Sequence, residues 1–325
     1  MQTTKFIDFI ITKACTYNCS YCSQNKLQDK EKRNADRKTI DSFLNFLDKI
    51  ENDFEITISG GEAILHPDFY YLINEIKQKN FKINLITNLS FPIEVYCGIF
   101  NILGKNLNRF DVSCHLEQIK DFEGFLDKFE RFLHFKPKNT KTTLFIPIFK
   151  INNSRKEKIK QAIHIAKINE VEVEYQKIRF LKGYLEKNQK NNKEKLLKTY
   201  SRYCDSGFKS CVIYEDGFAY RCYGSRFSKS NFVGNINSYD FKLWKKPCVC
   251  SFKHCMCKKP IKYGQLKKEK SLPKALVRTL YDIFWLPFLV AKNKDILKTK
   301  FEQYNALKNN SSKNNSLKTS PKPKR

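Results

Sequence analysis

Residues 5–22 read KFIDFIITKACTYNCSYC, an apolar run that leads straight into three cysteines. The run Phe6–Thr12 is rich in isoleucine and phenylalanine and predicts a buried β-strand. Cys15, Cys19 and Cys22 follow it at the spacing C-x-x-x-C-x-x-C. One loop at the end of the first strand therefore carries three thiols, and both the fold and the chemistry can be worked out from this point.

Twelve cysteines are a high number for 325 residues, and their placement indicates metal or redox chemistry. The N-terminal residues MQTTKFIDFIITKAC hold one lysine, an aspartate within the apolar run and no small-residue cleavage site, unlike a secretory signal peptide. A chain without a signal peptide is expected in the cytoplasm, where disulfides are rare. Clustered thiols in that compartment are typical of metal ligands or redox groups.

Three thiolates on one loop can hold three irons of a cubane iron–sulfur cluster and leave a fourth iron without a protein ligand. An open iron can bind a small molecule, which a structural four-cysteine site cannot do. A zinc site is the alternative, and it usually combines four Cys or His ligands. The first histidine of the chain is His66, far from this loop in the sequence, so zinc is the weaker interpretation.

Short β-rich runs alternate with helical patterns over residues 5–181. Strands are predicted at Phe6–Thr12, Phe54–Ser59, Lys82–Thr87, Arg109–Ser113, Thr142–Phe149 and Val173–Phe180. Helices are predicted between them, at 40–50, 69–76, 92–103, 118–134 and 154–166, the last with a capping box of Ser154 and Glu157. Six β/α units in series imply a parallel sheet with right-handed crossovers. The predicted fold class is α/β, a partial (β/α)6 TIM-type barrel with its chemistry at the carboxyl ends of the strands.

Gly60 and Gly61, followed by Glu62, end the second predicted strand at the edge where the cysteine loop is expected. Glycine lets the backbone approach a ligand closely, and Glu62 adds an acceptor for an ammonium group. This turn and the cysteine spacing, with Tyr21 directly before Cys22, resemble the signatures of the radical S-adenosylmethionine (radical SAM) enzymes. The resemblance covers about residues 5–181.

The resemblance implies that Cys15, Cys19 and Cys22 ligate a [4Fe–4S] cluster whose open iron chelates the amino and carboxylate groups of S-adenosylmethionine (SAM). It also implies cofactor contacts, with Tyr21 by the adenine, Gly60, Gly61 and Glu62 by the methionine amine, Asn88 at the polar end of the third strand and Ser113 by the ribose. Reduction of the cluster would then cleave SAM to methionine and a 5′-deoxyadenosyl radical, while the protein orients and shields the reactants.

Seven further cysteines lie toward the C-terminus, at Cys204, Cys211, Cys222, Cys248, Cys250, Cys255 and Cys257. The stretch CVIYEDGFAYRC predicts a β-hairpin that turns at Glu215-Asp216-Gly217 and brings Cys211 and Cys222 together. The spacing from Cys204 to Cys222 resembles the start of a SPASM or twitch domain, which holds auxiliary iron–sulfur clusters beside a radical SAM barrel. A zinc ribbon would give similar cysteine pairs.

The last four cysteines depart from the SPASM spacing, and seven thiols cannot fully ligate two cubanes. The resemblance implies one auxiliary [4Fe–4S] cluster, held by Cys204, Cys211, Cys222 and one of the last four, and it leaves a second cluster open.

Catalytic residues are harder to predict than ligands. Tyr223 stands where sulfatase-maturing relatives carry an aspartate base, and a neutral tyrosine is a poor base. Cys114 could donate a hydrogen atom to a substrate radical or could simply be a buried core thiol. Both are therefore weak catalytic candidates. Further pocket candidates without a distinguishing feature are His115, Asp205, Tyr220, Arg221 and Arg226.

The formal charge of +28 comes from 61 Lys and Arg against 33 Asp and Glu, and half of it lies in residues 258–325. A basic tail can bind nucleic acid, an anionic membrane or an acidic partner, although abundant Lys, Asn, Ile and Phe also indicate an AT-rich genome. The most apolar stretch, ALVRTLYDIFWLPFLVA at 275–291, is interrupted by Arg278, Asp282 and Pro287. It predicts a surface-lying amphipathic helix or a docked helix and not a transmembrane one.

These patterns predict four regions. Residues 1–185 form the radical SAM partial barrel, 186–200 a lysine-rich linker, 201–260 a small cysteine-rich α+β auxiliary-cluster domain, and 261–325 a basic extension that is disordered from about residue 309. The protein is expected in the cytoplasm, with peripheral membrane contact through 275–291 as an option.

The leading hypothesis is an oxidoreductase, or a peptide- or sugar-modifying enzyme, that abstracts a hydrogen atom from a peptide or a small molecule while the auxiliary cluster relays an electron. Flavodoxin or ferredoxin is the expected electron donor. The first strand starts near residue 6, which leaves no room for an N-terminal leader-binding domain and shifts weight toward a small molecule or a separate leader-binding protein.

Two alternatives remain open. The first is a radical SAM enzyme that modifies RNA, although no RNA-binding module is recognisable and nucleic acid is not the expected partner. The second is an iron–sulfur or zinc protein that binds nucleic acid as a regulator, which would have no need of a SAM site.

Overall fold

The structure is a computed structural model that describes residues 5–22, 34–149, 152–177, 203–223, 226 and 232–249. All of these residues belong to one compact unit, Met1–Lys268. The linker predicted at 186–200, the basic extension 261–325 and its apolar stretch lie outside the described residues.

The first part of the described chain alternates strands and helices. The strands are β1 (Lys5–Thr12), β2 (Phe54–Gly60), β3 (Lys82–Thr87), β4 (Leu107–Ser113), β5 (Thr143–Ile148) and β6 (Glu172–Lys177). The helices are α1 (Arg37–Leu47), α2 (Phe69–Gln78), α3 (Ile93–Leu103), α4 (Phe122–Phe135) and α5 (Asn153–Ile168). The six predicted strands are confirmed, with small shifts at their ends. No helix in the described ranges is both long and apolar enough to cross a membrane.

Strands β1 to β6 lie side by side in chain order, and every neighbouring pair is parallel. Parallel neighbours need a crossover connection, which the helices supply. An order without reversal is that of a β/α barrel, whereas a doubly wound sheet reverses its order at a switch point. Among the described residues β6 is the last strand on this side of the sheet, and an open partial barrel stays a prediction.

The hydrophobic core lies between one face of this sheet and the helices. Ile7, Phe9 and Ile11 alternate along β1 and are wholly buried. The ring of Phe9 lies 4.5 Å from that of Phe43 in α1, measured between centroids. A second group of rings from α3, β4 and α4 packs mostly edge to face, with centroids 5.2–6.0 Å apart, and consists of Tyr96, Phe100, Phe110 and Phe132. This packing gives the strand ends a rigid support.

Helix α1 begins at Arg37, three residues before its predicted start, and the starts of α4 and α5 are set by N-caps that differ from the prediction. Helix α4 begins at Phe122 and not near residue 118, because Asp121 caps it by accepting a hydrogen bond from Gly124 N at 3.0 Å. The capping box predicted at 154–157 is wrong, since the cap of α5 is Asn152, which accepts from Arg155 N at 2.9 Å. Asparagine caps a helix as well as serine does. Residues 115–120 therefore form a loop ahead of α4.

Five short strands follow in the C-terminal part: β7 (Tyr203–Cys204), β8 (Ser210–Ile213), β9 (Phe218–Tyr220), β10 (Phe232–Asn235) and β11 (Cys248–Val249). Strand β8 pairs in parallel with β1, and β9 and β10 continue the same sheet antiparallel. The predicted hairpin is thereby confirmed, and Gly217, at φ +78°, takes the left-handed conformation that its turn requires. A separate cysteine-rich domain, and its boundaries, stay a prediction.

Candidate metal and cofactor site

The cysteine loop, residues 13–22, leaves the carboxyl end of β1 at the edge of the sheet where β2, β3 and β4 also end. Cys19 is buried, whereas Cys15 and Cys22 are half-buried. A backbone hydrogen bond of 3.0 Å from Cys22 N to Cys19 O closes a turn between the last two thiols. The three predicted ligands thus lie where a β/α fold places its chemistry.

The turn Gly60-Gly61-Glu62 lies directly against the start of this loop. Gly61 N donates to Thr12 O at 2.9 Å, and Glu62 N donates to Ala14 O at 2.8 Å. A Cβ atom on either glycine would collide with one of these two carbonyl oxygens. Both positions therefore need glycine for a close approach of two backbone segments. The sequence suggested an approach to a ligand, and the structure shows an approach to the cysteine loop.

The carboxylate of Glu62 is wholly buried behind this turn. Its Oε2 accepts hydrogen bonds from Asn88 N at 2.8 Å and from Thr87 Oγ1 at 3.1 Å, which ties the end of β2 to the end of β3. Burial raises the pKa of Glu62 to about 7, and hydrogen bonds, of which those from Asn88 N and Thr87 Oγ1 are the strongest, oppose that shift. Its Oε1 has no hydrogen-bond partner among the residues that the structure describes. An unpaired buried acceptor beside the cysteine loop fits a bound ammonium group.

The side chain of Asn88 contacts the cysteine loop itself. Its amide donates to Thr16 Oγ1 at 2.9 Å and to Cys15 Sγ at 3.5 Å. The same sulfur accepts a hydrogen bond from Tyr17 N at 3.4 Å. N–H donors toward a ligand sulfur stabilise its thiolate form and tune a cluster bound to it. Asn88 was predicted to face SAM, and the structure places its amide on the loop that would hold the cluster.

A second segment that holds the loop is 115–118, between β4 and α4. Four hydrogen bonds join it to the cysteine loop: Tyr21 OH with His115 Nδ1 at 2.8 Å, Ser20 N to Glu117 Oε2 at 2.8 Å, Asn18 N to Gln118 Oε1 at 3.1 Å, and Gln118 Nε2 to Asn18 O at 3.2 Å. The sequence analysis missed Glu117 and placed Gln118 inside a helix. The signal that could have found them is Asp121, an N-cap residue that delays the start of α4.

The electrostatic surroundings of the thiols fit metal ligands better than nucleophiles. Burial raises the pKa of Cys15, and the nearby charge of Glu62 adds to this shift. Burial also raises the pKa of Cys19 to about 11, and the charge of Glu117 adds to that shift. Burial also lowers the pKa of His115 to about 4, so this ring is neutral at pH 7. Reactive cysteines have a lowered pKa next to cationic groups. The raised pKa values of Cys15 and Cys19 are unlike those of reactive cysteines.

The three thiols of the cysteine loop can be compared with the ligand sets of a single ion and of a cubane cluster. In the described part of the chain, no three His, Cys, Asp or Glu side chains converge as the ligands of one ion do. A cubane has a different requirement, because each thiolate holds a different iron. Three thiols on one loop, without a charged histidine nearby, therefore fit an iron–sulfur cluster.

The remaining candidates occupy varied positions. Ser113 is half-buried at the end of β4, on the same edge as the cysteine loop. Cys114 is wholly buried in the hydrophobic core, and burial raises its pKa to about 12. Tyr223 is half-buried and packs against a small cluster of Ile10, Val212 and Tyr214. Of the three, Ser113 alone combines partial exposure with a strand end at this edge.

The C-terminal cysteines fall into separate places. Cys204 and Cys248 are direct backbone partners in the β7–β11 pair, and Cys204 Sγ accepts from Ser206 N at 3.5 Å. Cys211 is wholly buried on β8, and burial raises its pKa. Cys222 is half-buried after β9. Cys250, Cys255 and Cys257 lie outside the described residues. The structure thus juxtaposes Cys204 and Cys248, which the sequence did not pair.

Residues 9–163 match the family model described as the radical SAM superfamily. The match begins in β1 and ends in α5, so it includes the cysteine loop, the Gly60-Gly61-Glu62 turn, Asn88 and Ser113. These residues form a radical SAM superfamily domain, and the superfamily is one of enzymes. A match to this superfamily implies a [4Fe–4S] cluster and SAM.

A curated relative is the S-adenosylmethionine-dependent nucleotide dehydratase of Selenomonas ruminantium, 27% identical over 90 residues. Those residues are 27% of this chain and 31% of that protein, so the chain spans less than a third of the curated relative that it matches.

Two solved structures are similar to this chain. One is BtrN in complex with AdoMet and 2-DOIA, which is 16% identical. The match covers 73% of this chain and 80% of that chain, with a TM-score of 0.44. The other is Streptococcus suis SuiB bound to precursor peptide SuiA, which is 14% identical. The match covers 74% of this chain and 64% of that chain, with a TM-score of 0.48. At TM-scores below 0.5, neither likeness bears on the function of this chain.

Proposed function

We propose that this protein is a radical SAM enzyme that binds a [4Fe–4S] cluster through Cys15, Cys19 and Cys22 and abstracts a hydrogen atom from a peptide or a small molecule. The cluster and SAM, when bound, supply a 5′-deoxyadenosyl radical on reduction, and the chain orients and shields the reactants. One observation carries the proposal: three thiols and a buried carboxylate with one unpaired oxygen lie at the same edge of a parallel sheet.

The proposal assigns roles to residues around the loop. Glu62 Oε1 would accept a hydrogen bond from the SAM ammonium, with the backbone of Gly60 and Gly61 beside it. The backbone of Tyr21 and the hydroxyl of Ser113 would contact the nucleoside part of SAM. Asn88 would stand next to the cofactor while its amide holds the loop.

We also propose one auxiliary [4Fe–4S] cluster that relays an electron. Its ligands would be Cys204, Cys211, Cys222 and one of the last four cysteines. Cys204 and Cys248 are direct backbone partners in the antiparallel pair of β7 and β11. This register supports Cys248 as the fourth ligand.

The substrate class stays a peptide or a small molecule, with flavodoxin or ferredoxin as the electron donor. A curated relative is named as a nucleotide dehydratase, which makes nucleotides worth testing among the small molecules. The family match supports an enzyme over a regulator that only binds nucleic acid.

The test is anaerobic reconstitution followed by reduction with SAM present. Wild-type protein should hold about 8 irons per chain if one auxiliary cluster forms, and about 4 if only the loop is loaded. It should also cleave SAM to 5′-deoxyadenosine. Cys19→Ala should lose about 4 irons and all cleavage. The control is Cys97→Ala, a half-buried thiol of α3 outside the loop, which should retain both. The proposal is refuted if Cys19→Ala still cleaves SAM, or if the wild-type protein contains zinc and no sulfide.

A further inference from the structure

We infer that Lys13 and Glu215 form a buried ion pair that positions the cysteine loop, which makes the β8–β9 turn a part of the cluster site. The inference rests on the proposed function, because it concerns the loop that would hold the cluster. In the sequence Glu215 reads only as a turn residue, in a region separated from Lys13 by about two hundred residues.

The parallel pairing of β1 and β8 brings these two residues together. Lys13 is the first residue after β1, and Glu215 lies two residues after β8. Because the two strands are parallel neighbours, their carboxyl ends meet at one edge of the sheet. Lys13 Nζ contacts Glu215 Oε1 there, and the two side chains are only 8% and 1% exposed.

The start of the cysteine loop is thereby held from two sides. On the β2 side, the carbonyl oxygens of Thr12 and Ala14 accept hydrogen bonds from Gly61 N and Glu62 N. On the β8 side, the side chain of Lys13, the residue between them, reaches the hairpin turn. The ion pair therefore adds an anchor on the side of the loop away from the Gly60-Gly61-Glu62 turn.

The carboxylate of Glu215 is itself held in place by the hairpin. Arg226 Nη2 lies 3.4 Å from Glu215 Oε1 and 3.5 Å from Asp216 Oδ2, and its guanidinium carbon is 3.8 Å from the ring centroid of Tyr214. Glu215 Oε2 has no hydrogen-bond partner within the described ranges. The carboxylate is therefore orientated by two cations on one oxygen.

An ion pair this deeply buried is poorly explained by stability alone. Desolvation of both charges offsets much of their attraction, and apolar side chains of similar volume often stabilise a protein as well or better. What the ion pair adds is a short charge-assisted contact between two defined atoms. Placed one residue before Ala14 and two before Cys15, that contact limits the path on which the loop leaves the sheet.

The double variant Lys13→Met/Glu215→Leu tests this role, because it removes both charges and leaves neither one buried alone. The readout is hydrogen exchange of the Gly61 and Glu62 amides in cluster-free protein, since these amides bond to the start of the loop. We expect exchange about tenfold faster than in wild type, which corresponds to about 1.4 kcal/mol. We also expect SAM to bind the reconstituted variant about tenfold more weakly.

Two further variants separate positioning from general stability. Lys13→Arg keeps the ion pair and should exchange at nearly the wild-type rate. Lys5→Met removes the exposed ion pairs of Lys5 with Glu51 and Asp53 at the other end of β1, and should leave both amides unchanged. Should the double variant fail to fold, Glu215→Asp retains the charge with a shorter reach and should give intermediate exchange.

The inference is overturned if the folded double variant shows the wild-type exchange rate and the wild-type affinity for SAM. It is also overturned if Glu215→Asp shows the wild-type exchange rate. The exchange measurement needs no cluster. Suppose that the wild type binds no iron, while the two amides exchange faster in the double variant than in the wild type. That result would contradict the proposed function and leave the positioning role intact.

Discussion

Glu62 combines a structural and a chemical role in one carboxylate. Its Oε2 ties the end of β3 to the Gly60-Gly61-Glu62 turn, and its Oε1 is unpaired among the described residues. Burial raises its pKa to about 7, so the group is about half protonated near neutral pH. An ammonium bound at Oε1 would favour the ionised form, because an opposite charge lowers the pKa of a carboxyl group.

The raised pKa of Glu62 predicts that the ligand-free protein loses stability as the pH rises. The folded-state pKa, about 7, lies above the ordinary value of 4.5, so the folded state binds more protons between these values. The stabilising contribution is thus present at low pH and is lost as the pH rises through 7. From pH 5 to pH 8, we expect the free energy of unfolding in urea to fall by about 2 kcal/mol more in wild type than in Glu62→Gln. Equal changes would contradict this pKa.

Asn88→Ala should shift the properties of a cluster bound to the loop. The substitution removes the amide donor toward Cys15 Sγ, and hydrogen bonds to ligand sulfurs help to set the reduction potential. We expect a more negative midpoint potential and faster loss of iron. The matched control is Asn84→Ala, also buried, which bonds to Glu55 and Thr57 further down the sheet.

Both asparagine variants should cost about 1–2 kcal/mol in the free energy of unfolding, because each removes buried hydrogen bonds. Only Asn88→Ala should move the potential measured by a redox titration followed by EPR. The same shift in Asn84→Ala would show that the effect is general loss of stability.

At the scale of elements, the cysteine loop is defined by the strand ends around it. The turn after β2 contacts its first residues, Asn88 at the end of β3 contacts its middle, and the segment 115–118 after β4 contacts its second half. Each contact depends on the parallel order of the strands, which brings their carboxyl ends to one edge. The loop has little regular structure of its own, so these neighbours determine its shape.

Gly61→Ala should disrupt this site without unfolding the sheet. The added Cβ would collide with Ala14 O and press on Cys15, so the loop must move away from the turn. Such overpacking costs about 1–3 kcal/mol, and iron binding by the loop should fall at least severalfold.

The control is Gly98→Ala in α3, where a Cβ meets nothing within 4 Å. A helical Gly→Ala change with free space should be neutral or slightly stabilising, by up to about 1 kcal/mol. Iron content and thermal unfolding of both variants check the prediction. Normal iron loading in Gly61→Ala would show that the close approach is not required.

At the scale of the whole molecule, the sheet does not stop at the first strand of the barrel. Strand β8 pairs in parallel with β1 on the side away from β2, and β8, β9 and β10 extend the sheet by three strands. The turn of that hairpin therefore lies at the same edge as the cysteine loop. A region that the sequence assigned to a separate domain shares a sheet with the barrel strands.

A chain that ends after Lys268 should fold as the full chain does, because residues 1–268 form one compact unit. We expect thermal unfolding midpoints within about 4 °C of each other. A chain that ends after Lys177 lacks the β8–β10 strands and exposes the edge of β1. That shorter chain should unfold at a clearly lower temperature or aggregate. Similar midpoints for the two truncated chains would contradict a structural role of the hairpin.

Some of this architecture was predictable from local patterns. Phe6–Thr12 reads as a buried strand because its apolar residues are consecutive, and the ligand triad reads as a metal site because its spacing lies within one loop. The start of α4 was misplaced because a single residue, Asp121, outweighs the apolar periodicity that begins before it. The sequence shows that Asn88 is a polar residue at a strand end. It does not show that the side chain bonds to Cys15 and Thr16, because those residues are far away along the chain.

The sequence by itself determined the alternation of strands and helices, the three thiols and the Gly60-Gly61-Glu62 turn, since each depends on residues that are close along the chain. Only the tertiary structure decided that Asn88 contacts Cys15, that Glu117 and Gln118 hold the loop, and that Lys13 pairs with Glu215. Those contacts join residues about 70 to 200 positions apart. They depend on the order and register of the strands, which is set by packing of the whole sheet and not by any local pattern.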